Sequence, residues 1–244
     1  MSRLSVPNLE SDTSASGQIY AQIKKAIGSV PNTFAAICLL VGASLTASLG
    51  ACSTPPVSPL DSLDKATVLI EHAKGHGTGT IIGPNVVLTA YHVVQEDPLS
   101  VTFFNGPTSG ARLTWFDERL DLALIDVAVP EGYPMIELAC NDLHAGQHLI
   151  SIGHPTQSRW VAVGGYLPST SSIGAGQLVP LGFPIGLGTS GGPVFDESGQ
   201  VVGITLAILA ERNRASAAYD RYKDTGIGLM LPARHFCESL GATP

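Results

Sequence analysis

The sequence predicts an all-β protein in which many short antiparallel strands are joined by tight turns. Runs rich in valine, isoleucine, leucine and threonine recur along residues 66–231, and glycine, proline and asparagine separate them. Glycine accounts for 27 of the 244 residues, whereas aromatic residues make up only 6%. Chains with many strands and turns use glycine in this way, and 244 residues are enough to bury a core of one or two domains.

The first half of this pattern suits one small closed barrel. Pro84 and Asn85 form a turn between two apolar runs, which predicts a hairpin. The six strands expected here span residues 66–70, 75–83, 86–89, 99–104, 111–116 and 122–127.

A second set of strands follows, and a helix closes the folded part of the chain. We expect the strands at residues 149–155, 160–163, within 164–181, 194–195, 201–209 and 226–231. The closing helix is expected over residues 233–240.

Ser190 lies in a segment whose composition favours a reactive hydroxyl group. The residues at positions 188–193 are Gly-Thr-Ser-Gly-Gly-Pro. Glycine allows backbone N–H groups to approach a ligand closely. A carbonyl attacked by Ser190 acquires negative charge on its oxygen, and the N–H groups of Gly188 and Ser190 are placed to receive that charge. We therefore predict that Ser190 is a nucleophile and that Gly188 and Ser190 form its oxyanion hole.

A serine nucleophile needs a base to accept its proton and a carboxylate to orient that base. His92 follows an apolar strand, where a loop can direct its side chain. No comparable context surrounds the other histidines, which are His72, His76, His144, His148, His154 and His235. Asp121 opens an apolar run and is expected beside the core, where a carboxylate needs a partner. We predict His92 as the base and Asp121 as its partner, in preference to Asp117 and Asp126.

These motifs resemble those of trypsin-like serine proteases, and most closely those of the HtrA/Deg branch. The chain reads Leu-Thr-Ala-Tyr-His-Val-Val at 88–94, Asp-Leu-Ala-Leu-Ile at 121–125 and Gly-Thr-Ser-Gly-Gly-Pro at 188–193. The order histidine, aspartate, serine is that of the chymotrypsin triad. The resemblance covers about residues 65–240. It implies a chymotrypsin-like fold of two six-stranded antiparallel β-barrels with a short C-terminal helix.

The resemblance also carries expectations about domain limits, activation and specificity. It implies barrel one at about residues 65–130 and barrel two at about 145–232, with no PDZ domain because only 13 residues follow Leu231. Thr189 replaces the aspartate that digestive enzymes pair with a newly cut amino terminus, so such activation is not expected. The uncharged substrate-binding residues implied are Pro184, Ile185, Leu187, Thr205, Leu206 and Ala207. The last three would pair with an extended peptide.

The amino-terminal third predicts export. Lys24 and Lys25 precede a run without charge that extends to Ala51. The segment Leu-Gly-Ala-Cys ending at Cys52 resembles a bacterial lipobox, which implies a lipidated Cys52 and attachment to a membrane. A plain signal peptide and an uncut anchor helix remain alternatives. All three place the globular part outside the cytoplasm, on the periplasmic side or the cell surface, after a leader at 1–52 and a proline-rich tether at 53–64.

Charge and cysteine content limit the possible partners. The net charge of −7 makes nucleic acid an unexpected partner. No cysteine pair has the spacing of a zinc site, and the predicted chemistry needs neither a metal nor a cofactor. Cys140 and Cys237 are either paired or two buried thiols. The function predicted is a serine endopeptidase acting on unfolded or extended proteins. The alternatives are a catalytically silent peptide-binding module of the same fold and a structural lipoprotein.

Overall fold

A computed structural model describes residues 59–173, 177–212 and 222–239. The leader, Cys52 and the first part of the predicted tether lie outside these residues. No helix within the described ranges has the length and apolar composition needed to cross a membrane.

Helix α1 spans Pro59–Ala66 and precedes the first strand. Proline at the first helical position is preorganised for a helix, and Asp61 in the first turn and Lys65 in the last complement the helix dipole. Leu63 is buried in the core of the protein. The structure thus differs from the predicted tether of 53–64 at its last six residues, 59–64, which are helical, and Leu63 packs against the barrel that follows.

Barrel one is a closed antiparallel barrel with the strand order β1-β2-β3-β6-β5-β4. Its closure comes from the pairing of β1 with β4. Buried aliphatic side chains from all sides fill the interior, as expected for a small barrel. The strands are β1 (Thr67–His72), β2 (Gly75–Gly83), β3 (Val86–Ala90), β4 (Leu99–Phe103), β5 (Thr108–Asp117) and β6 (Leu122–Val127).

Barrel two is a six-stranded antiparallel sheet with the order β8-β7-β10-β11-β12-β9. Its two edge strands, β8 and β9, approach each other: Gly182 of β9 packs against the backbone oxygen of Tyr166 of β8. The sheet is thus a nearly closed barrel. The strands are β7 (His148–Gly153), β8 (Val161–Tyr166), β9 (Val179–Pro184), β10 (Pro193–Phe195), β11 (Val201–Arg212) and β12 (Tyr222–Pro232).

The two barrels share a hydrophobic core. Phe195, Ile204 and Leu206 of barrel two belong to the same buried cluster as the interior of barrel one. Helix α2 (Ala233–Ser239) follows the last strand, and a disulfide joins its Cys237 to Cys140 in the segment between the barrels. The sequence left open whether Cys140 and Cys237 are paired. In the structure they form a disulfide, and their Cα atoms lie 6.0 Å apart.

The predicted fold class is confirmed, and each predicted strand has a counterpart. The main differences lie at strand ends. Strand β5 begins at Thr108 rather than residue 111, because its first residues are polar and pair with β4 without forming an apolar run. Strand β11 extends to Arg212, where it pairs with the start of β12.

Candidate active site

His92 lies in a single 3-10 turn, Tyr91–Val93, which directly follows strand β3. The neighbouring Val93 is buried and anchors the turn in the core, whereas the side chain of His92 is 43% exposed. The turn therefore holds the backbone of His92 in place and leaves part of its imidazole open to a ligand.

Asp121 binds this turn through three separate hydrogen bonds. Its Oδ2 lies 2.6 Å from Nδ1 of His92, and its Oδ1 accepts the backbone N–H of His92 at 2.9 Å. Its backbone carbonyl accepts the N–H of Tyr91 at 3.0 Å. A carboxylate at Nδ1 fixes the tautomer with a proton on that nitrogen, so that Nε2 is free to accept a proton.

The two rejected aspartates are engaged elsewhere. Asp117 accepts the backbone N–H groups of Arg119 and Leu120, and Asp126 forms an exposed ion pair with Arg112 at 3.1 Å. Neither forms a hydrogen bond to His92 among the described residues. The structure thus brings Asp121, and not its neighbours, to the predicted base.

Ser190 lies in a turn of barrel two that packs directly against barrel one. Its carbonyl oxygen accepts the N–H of Thr78 at 2.9 Å. Gly191 has a φ of +79° and packs so closely on Thr89 and Ala90, at the end of β3, that a side chain would collide with them. The turn is therefore held beside the strand end that carries His92. The half-buried Ser190 hydroxyl makes no hydrogen bond to another described residue, including His92.

The backbone of this turn leaves two N–H groups unbonded. The N–H groups of Thr189, Gly191 and Gly192 donate to carbonyls of Gly186, Thr205 and Thr189, at 3.2, 2.7 and 2.9 Å respectively. The N–H groups of Gly188 and Ser190 have no acceptor among the described residues. They are the two predicted as the oxyanion hole, and both are available to a ligand.

The direction of these two N–H groups is set by the carbonyls on the other side of each peptide unit. A trans peptide points its N–H and C=O in opposite directions. The carbonyl of Leu187 accepts the N–H of Thr156 at 2.7 Å, and the carbonyl of Thr189 accepts the N–H of Gly192 at 2.9 Å. Each carbonyl is therefore anchored within the protein, and each following N–H points away from its anchor.

Several residues that support the turn carry no sequence motif. The Thr78 hydroxyl donates to the carbonyl of Gly188 at 2.8 Å, and Nε2 of His76 lies 2.8 Å from the carbonyl oxygen of His154. The Thr205 hydroxyl donates to the carbonyl of Thr189. Their partners lie between 16 and 110 residues away in the chain, so no local pattern could have identified them.

His154 is fully buried behind the turn. Its Nδ1 accepts the N–H of Trp160 at 3.1 Å, and the indole ring packs edge-on at 4.6 Å. Burial, with a smaller contribution from the nearby charge of Arg159, lowers the pKa of His154 to about 3. The ring is therefore neutral at physiological pH.

The predicted pocket residues occupy different environments. Ile185 is buried against Gly228, Pro184 is an exposed residue of β9, and the side chain of Leu187 is 72% exposed. Thr205 is buried, and its backbone N–H is already bound to the carbonyl of Gly192. Its neighbours on β11 are the buried Leu206 and the half-buried Ala207. Within the described ranges, no group of three or more His, Cys, Asp or Glu side chains could hold a metal ion.

Comparison with protein families places these features in context. A family model described as the trypsin-like peptidase domain matches residues 77–204. A probable periplasmic serine endoprotease, DegP-like, from Pseudomonas fluorescens is 33% identical over 146 residues, which are 56% of this chain and 30% of the relative. The periplasmic pH-dependent serine endoprotease DegQ of Escherichia coli is 27% identical over 66% of this chain and 35% of its own. The chain spans about a third of the length of these relatives.

Solved structures with the same fold include a serine endoprotease from Yersinia pestis. It has a TM-score of 0.61 and 24% identity, and the match covers 76% of this chain and 67% of that one. The HtrA-type protease AlgW with a tripeptide has a TM-score of 0.63 and 21% identity over 75% of this chain and 62% of its own. At these identities the structures bear on the fold alone.

Proposed function

Because the chain belongs to the trypsin-like peptidase domain family, with relatives in the HtrA/Deg branch, we propose that it is a serine endopeptidase. Its substrates would be unfolded or extended proteins. The observation that carries the proposal is the combination of the His92–Asp121 pair with two unbonded N–H groups on either side of Thr189, at Gly188 and Ser190.

In the proposed mechanism, Oγ of Ser190 attacks the carbonyl carbon of the peptide bond while Nε2 of His92 takes the hydroxyl proton. Asp121 stabilises the imidazolium that forms. The N–H groups of Gly188 and Ser190 bind the oxyanion, which is the largest expected contribution to the rate. His92 then donates its proton to the leaving amine, and water attacks the acyl-enzyme by the same route in reverse.

The proposal is tested by labelling the protein with a fluorophosphonate probe, which reacts with activated serine. The wild type should be labelled, and Ser190→Ala should not, whereas Ser198→Ala is a control for an exposed serine outside the site. The wild type should also cleave an unfolded protein. Binding of an extended peptide without labelling or cleavage would favour the silent peptide-binding module instead.

We also propose that the protein acts outside the cytoplasm. The relatives named above are periplasmic endoproteases. The Cys140–Cys237 disulfide supports the same location, because such bonds persist in oxidising compartments. In this arrangement residues 1–52 are the leader and about 65–240 the protease domain.

Attachment to a membrane through Cys52 is the finer part of this proposal. It is supported by the lipobox-like segment that ends at Cys52. Metabolic labelling with a fatty acid should mark the wild type and not Cys52→Ser. Absence of label in both would leave a plain signal peptide or an uncut anchor, which cell fractionation distinguishes.

A further inference from the structure

His76 is a half-buried side chain of β2 that faces the nucleophile turn from the opposite barrel. Its Nε2 lies 2.8 Å from the carbonyl oxygen of His154. A carbonyl can only accept, so Nε2 carries the proton and donates it. The ring also fills the space beside Gly188, where any side chain would collide with Nε2 of His76 and with that same carbonyl oxygen.

The segment that His76 holds is the one that orients the Gly188 amide. Thr156, two residues after His154, donates its N–H to the carbonyl of Leu187 at 2.7 Å. Pro155 packs against Gly186, so the segment contacts the turn at two points. Since the Leu187 carbonyl and the Gly188 N–H belong to one peptide unit, a shift of the segment would rotate that N–H.

The backbone conformation of Gly188 explains why contacts from its neighbours matter. Its φ of +98° is open to glycine, and glycine has no side chain to hold it there. The carbonyl of Gly188 is held by the Thr78 hydroxyl, also from β2. Two side chains of β2, those of His76 and Thr78, thus contact Gly188 or the segment beside it.

We propose that His76 is a positioning residue for the oxyanion hole: by donating to the carbonyl of His154 it fixes the segment that directs the Gly188 N–H at the developing negative charge. The inference rests on the proposed endopeptidase function. It assigns to barrel one a part of the oxyanion machinery, in addition to the base and its carboxylate.

The test compares His76→Phe, which keeps the ring volume but cannot donate, with His76→Gln, whose amide can donate. Steady-state cleavage of a peptide substrate should show kcat lowered about 10- to 100-fold in His76→Phe, with KM changed less than about threefold, because the oxyanion forms only after binding. His76→Gln should retain most of the activity. His72→Phe, at the end of the neighbouring strand β1, should behave as the wild type.

A second measurement separates positioning from general damage to the fold. A peptide aldehyde forms a tetrahedral adduct with the serine, so His76→Phe should weaken its binding by the same factor as kcat. Binding of the uncleaved substrate peptide, measured in a Ser190→Ala background where no oxyanion forms, should change less than about threefold, and the thermal midpoint should stay within a few degrees of the wild type.

Three outcomes would overturn the inference. Wild-type kcat and aldehyde affinity in His76→Phe would overturn it while leaving the endopeptidase proposal intact. Equal losses in His76→Phe and His76→Gln would show that donation is not the role of the side chain. A wild type that neither reacts with the fluorophosphonate nor cleaves peptides would overturn the endopeptidase function, and the inference with it.

Discussion

The acid–base pair and the nucleophile turn are held by different means in the two barrels. His92 and Asp121 follow and precede strands that pair directly, with Ala90 opposite Leu122. All three hydrogen bonds that join Asp121 to Tyr91 and His92 therefore lie within barrel one. The turn of Ser190 instead depends on Thr78 from barrel one as well as on residues of its own barrel.

This difference indicates which part of the site depends on the assembly of the whole domain. Barrel one is closed by its own ladder and can present the imidazole and carboxylate together. The turn, by contrast, is held partly by barrel one, because the backbone N–H and the hydroxyl of Thr78 donate to the carbonyls of Ser190 and Gly188. We therefore expect changes at His92 and Asp121 to act on proton transfer, and changes in the turn or in the residues of either barrel that hold it to act on the oxyanion hole and on stability.

The largest effect is expected when the nucleophile itself is removed. Ser190→Ala should lower kcat by at least about ten-thousandfold, because no acyl-enzyme can form without the Ser190 hydroxyl. The free energy of unfolding should stay close to the wild-type value, since the hydroxyl makes no hydrogen bond to another described residue. Near-normal cleavage of an unfolded protein by this variant would place the nucleophile elsewhere.

A slightly smaller effect is expected from the carboxylate of barrel one. Asp121→Asn should lower kcat by about a thousand- to ten-thousandfold, because an amide can donate to Nδ1 and so favour the wrong tautomer of His92. Asp126→Asn is the matched control: it lies on the strand that follows, and loses only an exposed ion pair with Arg112. Matched kinetics that rank these two variants in the opposite order would assign the carboxylate elsewhere.

The pair in barrel one could be predicted from the sequence, whereas the support of the turn could not. His92 and Asp121 each adjoin an apolar strand, so local pattern and known chemistry suffice to identify them. His76 and Thr156 act through hydrogen bonds to residues that the fold alone brings near. The prolines before Leu63 predict a tether that includes it, whereas in the structure Leu63 lies in helix α1 and packs in the core through contacts that only the fold brings together.

The disulfide offers a test of the barrels as separate units. The loop between Cys140 and Cys237 contains all six strands of barrel two and none of barrel one. Replacing both cysteines by serine should lower the free energy of unfolding by about 2–4 kcal/mol, since the unfolded chain regains entropy. Hydrogen exchange should accelerate mainly in β7–β12. Equal acceleration in both barrels would show that they unfold as one unit.

A pH-dependent loss of stability is expected from His154. Because burial lowers its pKa from 6.5 to about 3, the unfolded chain binds a proton below pH 6.5 that the folded chain refuses. The stability contributed by neutral His154 is therefore present above pH 6.5 and is lost as the pH falls towards 3, by up to about 1.4 kcal/mol per pH unit. The free energy of unfolding, measured with urea at several pH values, should fall less steeply between pH 6.5 and 3 in His154→Asn than in the wild type. Identical pH dependence in the two proteins would contradict this prediction.

The smallest effect is expected on the choice of substrate, through the substrate side chain that immediately precedes the cleaved bond. Of the residues expected to line its pocket, Ile185 is apolar and buried against Gly228, and Leu187 is apolar and exposed. An arginine or lysine would lose its hydration there without gaining a counter-ion from these residues, whereas an apolar group gains about 0.8 kcal/mol per buried CH₂. A peptide library should therefore be cleaved after Val, Ala, Leu or Ile. Ile185→Ala should shift the preference towards larger groups and Leu187→Ala should change it less, because an exposed rim contributes little burial. A profile dominated by Lys or Arg would show that an acidic side chain reaches the pocket.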